Sequence, residues 1–342
     1  DLVLRDFAPT FLILGEYEFS LLNVISSLEA GISLINIPNI AFMNQGLMVK
    51  TLTEPQWLRP TIPDDLFPAF DLVPMAKYYG NDYLGTIPVR KYGWAVIQGS
   101  RGCRFGCKYC HNFWGKQVRY RSPKSIVEEL KILVEKYGVD SVFFIDATFT
   151  QNRSWTIEIC NQIINTNLKL LWTAETRCDL IDSDLLLLMK RAGCQSLWFG
   201  IESFSDEVLQ TARKGYQSEL VEPMLKLVKN SGITPQAFIM LGMPGETNES
   251  LKITVEKLKE LKIPYTQSII TCTPRFGTPL YEDAKLQYEG IGEDFKTLDS
   301  IKGVVANSIT SMDLQDAFAK MKERSFLLDE KTNKAKDGKV II

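Results

Sequence analysis

Three cysteines in one short glycine-rich stretch are the residues whose type and spacing point most directly to chemistry. Cys103, Cys107 and Cys110 lie four and three positions apart, in the run Gly99-Ser-Arg-Gly-Cys-Arg-Phe-Gly-Cys-Lys-Tyr-Cys. Thiolates are soft ligands that favour zinc or an iron–sulfur cluster. A structural zinc site takes four protein ligands, whereas three cysteines leave one corner of a cubane cluster open. The stretch therefore predicts a metal centre of one of these two kinds.

The fourth ligand separates the two kinds of centre. A zinc site would recruit His111 or a distant cysteine, but His111 directly follows Cys110 and would need an awkward reversal to reach the same metal. Glycines between the cysteines predict a loop that folds tightly and brings backbone amides towards the sulfurs. The cluster is therefore the favoured interpretation, with zinc as its alternative.

Length, charge and cysteine count exclude several classes of protein. The chain has 342 residues with 45% apolar residues, which predicts a packed globular core. A net charge of −2 gives no electrostatic footprint for nucleic acid. Seven cysteines in a chain of this length do not indicate a disulfide-stabilised fold and are compatible with a reducing cytosol, so a cytoplasmic location is expected. No apolar run is long enough to span a bilayer, and the chain begins with Asp1, so a targeting segment could precede it.

Strand-like and helical segments alternate from residue 94 onward. The predicted strands are Trp94–Ile97, Ser141–Ile145, Lys169–Trp172, Ser196–Phe199, Gln236–Met240 and Thr266–Thr271. The predicted helices begin at the Ser122-Pro123 cap and then cover Ser154–Ile164, Asp182–Arg191, Leu220–Lys229 and Ser250–Leu261, with Gly193 and Gly232 as C-terminal caps. Six strand–helix repeats predict an α/β fold with an all-parallel sheet. Six parallel strands can curve into an open partial barrel, and in such barrels the loops after the strands carry the chemistry.

The two ends of the chain are less regular. Phe11–Leu14 predicts a short strand, and residues 20–30 predict a helix with Leu21, Val24, Ile25 and Leu28 on its apolar face. Ala41–Thr51 predicts a hairpin that turns at Asn44-Gln-Gly46. Residues 54–90 are rich in proline and predict an irregular linker. Near the C-terminus, Ser311 would cap a helix from Asp313 to about Leu327, with Leu314, Phe318 and Met321 facing inward.

Polar residues follow the predicted strands. Asp146 follows the second strand and either binds an ammonium group or caps a helix. After the third strand, Arg177 either pairs with a ligand carboxylate or with Glu175. Glu202 follows a buried strand, where an unpaired carboxylate would be costly, and Lys214 is either a ligand contact or a solvated lysine.

These motifs, in this order, resemble those of the radical S-adenosylmethionine (radical SAM) superfamily across about residues 90–285. The resemblance comprises the three cysteines with Tyr109 as the aromatic residue between them, Gly200-Ile-Glu-Ser203, Arg213-Lys-Gly215, Gly242-Met-Pro-Gly-Glu246 and Pro274-Arg-Phe-Gly-Thr-Pro279. It implies a partial (β/α)6 TIM-like barrel in which the cysteines hold a [4Fe–4S] cluster and SAM chelates the fourth iron. The implied SAM contacts are Tyr109, Asp146, Arg177, Glu202, Lys214, Gly242, Gly245 and Pro274.

The N-terminal region resembles the end of the cobalamin-binding domain of cobalamin-dependent radical SAM enzymes, on the turn Gly15-Glu-Tyr-Glu18 and the hairpin and linker that follow it. The implied organisation is the end of a truncated cobalamin domain (1–53), a linker (54–90), the radical SAM core (91–288) and a C-terminal helical extension (289–342). Cobalamin is expected to bind a full-length chain. Ala147 stands where these enzymes usually have a second acidic residue, which leaves that one SAM contact in doubt.

The implied function is reductive cleavage of SAM to methionine and a 5′-deoxyadenosyl radical, used for cobalamin-dependent methyl transfer to an unactivated carbon. A rearrangement or cyclisation without methyl transfer, and a non-catalytic iron–sulfur or zinc scaffold, are the alternatives. A one-electron reductant such as flavodoxin or ferredoxin and an unidentified small-molecule substrate are the expected partners. No second Cys-x-x-Cys group is present, which disfavours auxiliary clusters. Among the other cysteines, Cys160 is expected in the core, and Cys272 is a candidate for the barrel interior.

Overall fold

The N-terminal part of the fold is a small sheet packed on one helix. The structure, a computed structural model, describes residues 2–51, 61–77, 83–84, 87–88, 93–262 and 269–287, with five further positions between 312 and 319. We define residues 2–51 as the N-terminal unit. Its elements are α1 (Leu2–Phe7), β1 (Leu12–Ile13), α2 (Tyr17–Glu29), β2 (Ile40–Asn44) and β3 (Leu47–Lys50).

The predicted hairpin of the N-terminal unit is confirmed. β2 pairs antiparallel with both β1 and β3, and the turn residues Gln45 and Gly46 have φ of +49° and +81°, as a two-residue type I′ turn requires. Of the α2 residues expected to face inward, Val24 is buried, but Ile25 and Leu28 are 43% and 50% exposed. The three short strands cover only a narrow strip of α2, so the remaining apolar positions stay in solvent.

The described part of the proline-rich linker is mostly irregular, as expected. Residues 61–77 contain two single 3-10 turns, Phe70–Leu72 and Met75–Lys77. A two-residue ribbon of β4 (Tyr83–Leu84) and β5 (Ile87–Pro88) was not predicted. The other linker residues lie outside the described part of the chain.

A six-stranded parallel sheet forms the body of the protein. The elements from residue 94 onward are β6 (Trp94–Ile97), β7 (Ser100–Arg101), β8 (Arg119–Tyr120), α3 (Pro123–Lys131), β9 (Ser141–Phe144), α4 (Arg153–Thr166), β10 (Leu171–Thr176), α5 (Ser183–Arg191), β11 (Cys194–Glu202), α6 (Asp206–Thr211), α7 (Val221–Asn230), β12 (Thr234–Leu241), α8 (Asn248–Leu261), β13 (Ile269–Thr271) and α9 (Pro279–Gln287). The strands of the sheet run in the order β6-β9-β10-β11-β12-β13, and every neighbouring pair is parallel, which confirms the predicted α/β partial barrel.

The two faces of this sheet have different surroundings. Side chains of alternate strand residues, such as Phe144, Trp172 and Phe199, are fully buried in the core beneath the helices. The opposite face, here called the inner face, carries the residues between them. Register pairs place Val96, Phe143 and Thr173 side by side on the inner face, and likewise Glu175, Trp198 and Gln236. The inner face therefore stays partly open to solvent and can take a ligand.

The predicted helix caps of the barrel are confirmed. The Ser122 hydroxyl accepts the N–H of Ser125 at 3.1 Å, with Pro123 as the first helical residue. Gly193 and Gly232 follow α5 and α7 with φ of +98° and +79°. No helix among the described residues is long and apolar enough to cross a bilayer.

Several boundaries differ from the sequence-based prediction: β11 and β12 extend beyond the predicted Ser196–Phe199 and Gln236–Met240 at both ends. The third strand of the barrel, β10, covers Leu171–Thr176 instead of Lys169–Trp172, because Thr173 and Glu175 lie on the inner face, where polar side chains are tolerated. The helix α9 was not predicted, although Thr278 caps it by accepting the N–H of Tyr281 at 3.1 Å. In the predicted C-terminal helix the described positions are helical and Ala317 packs into the main core, while Leu314, Phe318 and Met321 lie outside the described residues.

Candidate active site

The three cysteines lie on one loop beyond the end of β6. The short ribbon of β7 and β8 forms the base of the loop. The Cys103 N–H donates to the Gly115 carbonyl at 3.1 Å, and the Asn112 side chain donates to the carbonyls of Cys103 and Gly115 at 2.8 and 2.7 Å. Cys103 and Cys107 are partly buried and Cys110 is exposed. Backbone contacts thus fix the loop while the thiols stay accessible.

Gly102 is required at the base of this loop. Its φ is +99°, and a Cβ atom there would lie 2.3 Å from the carbonyl oxygen of Gln117. No side chain fits at that distance, because the clash is with backbone on the opposite side of the loop. Gly106, by contrast, has space: a Cβ atom would meet only the flexible Lys116 Nζ, at 3.6 Å.

We expect Gly102→Ala to lower the iron content of the purified, reconstituted protein several-fold although all three cysteines remain, because the loop cannot close. Gly106→Ala is the matched control and should keep its iron. The measurement is iron per chain after anaerobic reconstitution. Equal iron in the two variants would show that the loop geometry is not needed for metal binding.

The surroundings of the thiols fit a cluster better than a single metal ion. Although Cys110 as a whole residue is exposed, partial burial of its thiol, and then the charges of Cys107 and Cys103, raise the pKa of that thiol to about 11. A positively charged group is therefore needed to hold all three as thiolates. Among the described residues, no three His, Cys, Asp or Glu side chains are arranged to hold one metal ion. His111 packs edge-on against Phe113, with ring centroids 4.1 Å apart. A cluster distributes its thiolates over separate irons, so the donor set suits a cubane.

Two polar groups lie beside the sulfurs. Thr148 Oγ1 is 3.6 Å from Cys103 Sγ, and Arg177 Nη1 is 3.9 Å from Cys107 Sγ. Hydrogen bonds to cluster sulfurs tune the reduction potential. Thr148 was not identified from the sequence; its only signal is its place after a strand end.

Asp146 is fully buried and holds the start of the cysteine loop. Its carboxylate accepts the N–H of Gly99 at 3.1 Å and the hydroxyl of Ser100 at 2.5 Å. Burial raises the pKa of Asp146 to about 6, and these hydrogen bonds oppose that rise. The alternative that Asp146 caps a helix is wrong, because Asn152 caps α4. The sequence did not indicate Ser100 as the partner.

Arg177 is tied to Asp179 and not to Glu175. Its guanidinium makes two hydrogen bonds of 2.9 Å to the Asp179 carboxylate and donates to the Lys214 carbonyl at 2.6 Å. It also lies over the Phe105 ring, 3.8 Å from the centroid. The expected alternative pair with Glu175 is therefore wrong. The Arg-x-Asp spacing was the available signal for the true partner.

Tyr109, Glu202 and Lys214 form a hydrogen-bonded triad that joins the cysteine loop to the end of β11; Glu202 and Lys214 are buried and Tyr109 is partly buried. The Glu202 carboxylate accepts from the Tyr109 hydroxyl at 2.7 Å and from Lys214 Nζ at 2.9 Å. Burial, and then the charge of Glu202, hold the pKa of Tyr109 well above its usual value. Lys214 is only 4% exposed, so the solvated alternative is wrong. A register shift after Gly200 and a φ of +67° at Glu202 aim this carboxylate, the kind of local distortion that clusters at functional sites.

Gly242, Gly245 and Pro274 shape backbone turns at the same edge of the sheet. Gly242 donates its N–H to the Glu246 carboxylate at 2.5 Å, and both glycines have positive φ. A Cβ atom at Gly245 would lie 3.2 Å from Thr211 Oγ1. Pro274 is buried just before α9. Their predicted contacts with SAM stay predictions.

Ion pairs connect the N-terminal unit to the cysteine loop. Glu16 pairs with Arg101 and Arg119, and Glu18 pairs with Arg101. The two arginines lie on β7 and β8, the ribbon at the base of the loop. The Gly15–Glu18 turn therefore contacts the base of the loop that carries the three cysteines, a connection that the sequence did not indicate.

The other cysteines are buried and protonated. Cys160 lies in the main core, as predicted. Cys272 packs with Met240 and Met243, and burial raises its pKa to about 12. A thiol of such a high pKa is a weak nucleophile, so packing accounts for Cys272.

Comparisons with known proteins agree with this geometry. Residues 97–258 match the family model of the radical SAM superfamily. The chain is 33% identical over 275 residues to an uncharacterized methyltransferase of Pyrococcus horikoshii, covering 79% of this chain and 57% of that protein. It is 29% identical over 255 residues to the anaerobic magnesium-protoporphyrin IX monomethyl ester cyclase of Rubrivivax gelatinosus, covering 72% and 44%. The chain thus spans about half the length of these curated relatives.

A solved structure shares the fold. The radical S-adenosylmethionine methyltransferase TsrM from Kitasatospora setae, with cobalamin and a [4Fe–4S] cluster bound, superposes with a TM-score of 0.70 at 20% identity, covering 96% of this chain and 65% of that one. At this identity the likeness concerns the fold.

Proposed function

Because the chain carries a domain of the radical SAM superfamily, we propose that it cleaves S-adenosylmethionine reductively at a [4Fe–4S] cluster held by Cys103, Cys107 and Cys110. The observation that carries this proposal is the gathering of three accessible thiols on one rigid loop beside the polar ends of β9, β10 and β11. The carboxyl ends of parallel strands are where such barrels place their chemistry.

The roles proposed for the protein are binding and orientation. When bound, the cluster supplies the electron that cleaves the carbon–sulfur bond of SAM. Arg177 and Thr148 polarise two of the sulfur ligands. Lys214 would receive the SAM carboxylate and Glu202 a SAM polar group; Tyr109 keeps both in place before SAM arrives. The Asp146 carboxylate accepts hydrogen bonds from Gly99 and Ser100, and since a carboxylate can accept about four hydrogen bonds, it would accept a further one from the SAM amino group.

For the outcome of the reaction we propose methyl transfer to an unactivated carbon, with cobalamin as methyl carrier. The relative from Pyrococcus horikoshii is described as a methyltransferase, which supports this choice. The N-terminal unit, whose turn contacts the base of the cysteine loop, is the part proposed to lie near the corrin. A cyclisation without methyl transfer is the second candidate, favoured by the cyclase of Rubrivivax gelatinosus.

The products of SAM test these proposals. The protein, reconstituted anaerobically with iron and sulfide and reduced with dithionite, is expected to convert SAM to 5′-deoxyadenosine and methionine. With a full-length chain and hydroxocobalamin, S-adenosylhomocysteine should form as well, because methyl loss from SAM yields it. Formation of 5′-deoxyadenosine alone would favour cyclisation. A protein that binds iron but yields neither product would be a scaffold, and the proposal would be wrong.

A further inference from the structure

Glu175 is a carboxyl group that the proposed chemistry leaves unused. It lies near the end of β10 on the inner face, and its register partner on β11 is Trp198. Among the described residues, no side chain or N–H group forms a hydrogen bond or ion pair with the Glu175 carboxylate. Arg177, two residues away, is engaged by Asp179.

The charges around Glu175 are negative. The carboxylates of Asp146 and Glu202, near the ends of the two neighbouring strands, both repel a negative charge on Glu175. Lys214 is already paired with Glu202. Burial, and then these two carboxylates, raise the pKa of Glu175 to about 7. A cation placed beside Glu175 would relieve both the repulsion and the desolvation. Within the described part of the inner face, no cationic side chain of the protein pairs with Glu175. The site is therefore suited to a cationic group of a ligand.

Three aromatic rings cluster on the inner face around Trp198, the register partner of Glu175. The rings of Phe143 and Trp198 are stacked at 6.1 Å with an interplanar angle of 29°, and those of Trp198 and Phe238 lie at 5.3 Å and 37°. We call these three residues the aromatic wall. Each is only partly buried. The Trp198 Nε1–H is buried and has no acceptor within the described part of the chain. The wall thus leaves part of its aromatic surface accessible to a ligand.

We propose that the inner face binds a flat, conjugated substrate stacked on the aromatic wall, and that Glu175 accepts a hydrogen bond from a positively charged nitrogen on that substrate. This inference rests on the proposed function, since it names the class of substrate for the same site. Offset stacking on aromatic rings selects a flat molecule, and a charge-assisted hydrogen bond selects its cationic group.

Probe ligands test the proposal without knowledge of the substrate. Tryptamine is flat and carries an ammonium group; indole-3-acetate is flat and anionic; 2-cyclohexylethylamine carries the ammonium group without a flat ring. Isothermal titration calorimetry on the reconstituted protein should show tryptamine binding at least about tenfold more tightly than either of the others. Equal binding of 2-cyclohexylethylamine would overturn the role of the wall.

Glu175→Gln tests the carboxylate. It should weaken tryptamine about tenfold and leave indole-3-acetate no weaker, while Glu256→Gln, at an exposed position on α8, should change neither. Unchanged tryptamine binding by Glu175→Gln would overturn the proposal. Its circular dichroism and thermal midpoint, compared with those of the unmodified protein, show that the variant is folded.

SAM also carries an ammonium group, so SAM binding to Glu175→Gln is measured in parallel. The proposal expects SAM affinity and SAM cleavage to persist in this variant. A tenfold loss of SAM affinity with tryptamine unaffected would assign Glu175 to SAM and overturn the inference. Absence of SAM cleavage in the unmodified protein would instead contradict the proposed function, so the two failures are distinguishable.

Discussion

Cys107→Ala is expected to abolish SAM cleavage and to remove most of the iron from the reconstituted protein. Cys107 is the middle cysteine of the loop, and its sulfur is the one beside Arg177. Without it the loop retains only two thiols, and the backbone contacts that hold Cys103 bring no replacement ligand. The measurements are iron and sulfide content, the visible absorption band of the cluster, and 5′-deoxyadenosine formed per chain.

The matched control is Cys160→Ala, since Cys160 lies in the main core away from the loop. It should keep its iron and its activity, although the loss of a buried sulfur costs some stability. Full cluster content in Cys107→Ala, or iron loss in Cys160→Ala equal to that in Cys107→Ala, would contradict the assignment of the ligands.

Lys214→Met is expected to lower the free energy of unfolding by about 3–5 kcal/mol, because it leaves the buried Glu202 carboxylate without its cation. Both side chains are nearly inaccessible, at 5% and 7% exposure for the lysine and the glutamate. Urea denaturation of the apoprotein under reducing conditions measures the change. The double variant Lys214→Met/Glu202→Gln should recover a large part of the loss, since no uncompensated charge remains.

Lys226→Met is the control for this prediction. Lys226 pairs with Glu222 on the surface of α7, with 61% of its side chain exposed, so its removal should cost at most about 1 kcal/mol. A loss of that small size in Lys214→Met as well would show that water reaches the triad and that the ion pair is not a buried one.

Local sequence signals predicted the fold where each signal acts within a few residues. Ser122-Pro123 correctly indicated the start of α3, because a hydroxyl cap and a proline at the first helical position act on the adjacent turn. The same signal, Thr278-Pro279, begins α9, a helix that was not predicted. The predicted end of β10 was wrong because polar residues normally indicate where a strand ends. Thr173 and Glu175 instead continue the strand, with their side chains on the inner face, where polar groups are tolerated.

The sequence by itself determined the cysteine loop and the order of the motifs along the strands. Three thiols within eight residues must lie near one another whatever the rest of the chain does, and the carboxyl ends of parallel strands must meet at one edge of the sheet. The matching family model and the shared fold agree with that part of the prediction.

Only the tertiary structure decided which charged groups pair. Glu175 and Arg177 are two residues apart, which in an extended strand would place them on the same face. β10 instead ends at Thr176, and the 3-10 turn Cys178–Leu180 brings Asp179 to the guanidinium. Lys214 reaches Glu202, and Glu16 reaches Arg119, over long or irregular stretches of chain. Such pairings depend on distances that packing sets, and the spacing of residues in the sequence carries no information about those distances. Because the cations pair elsewhere, Glu175 is left on the inner face beside the aromatic wall.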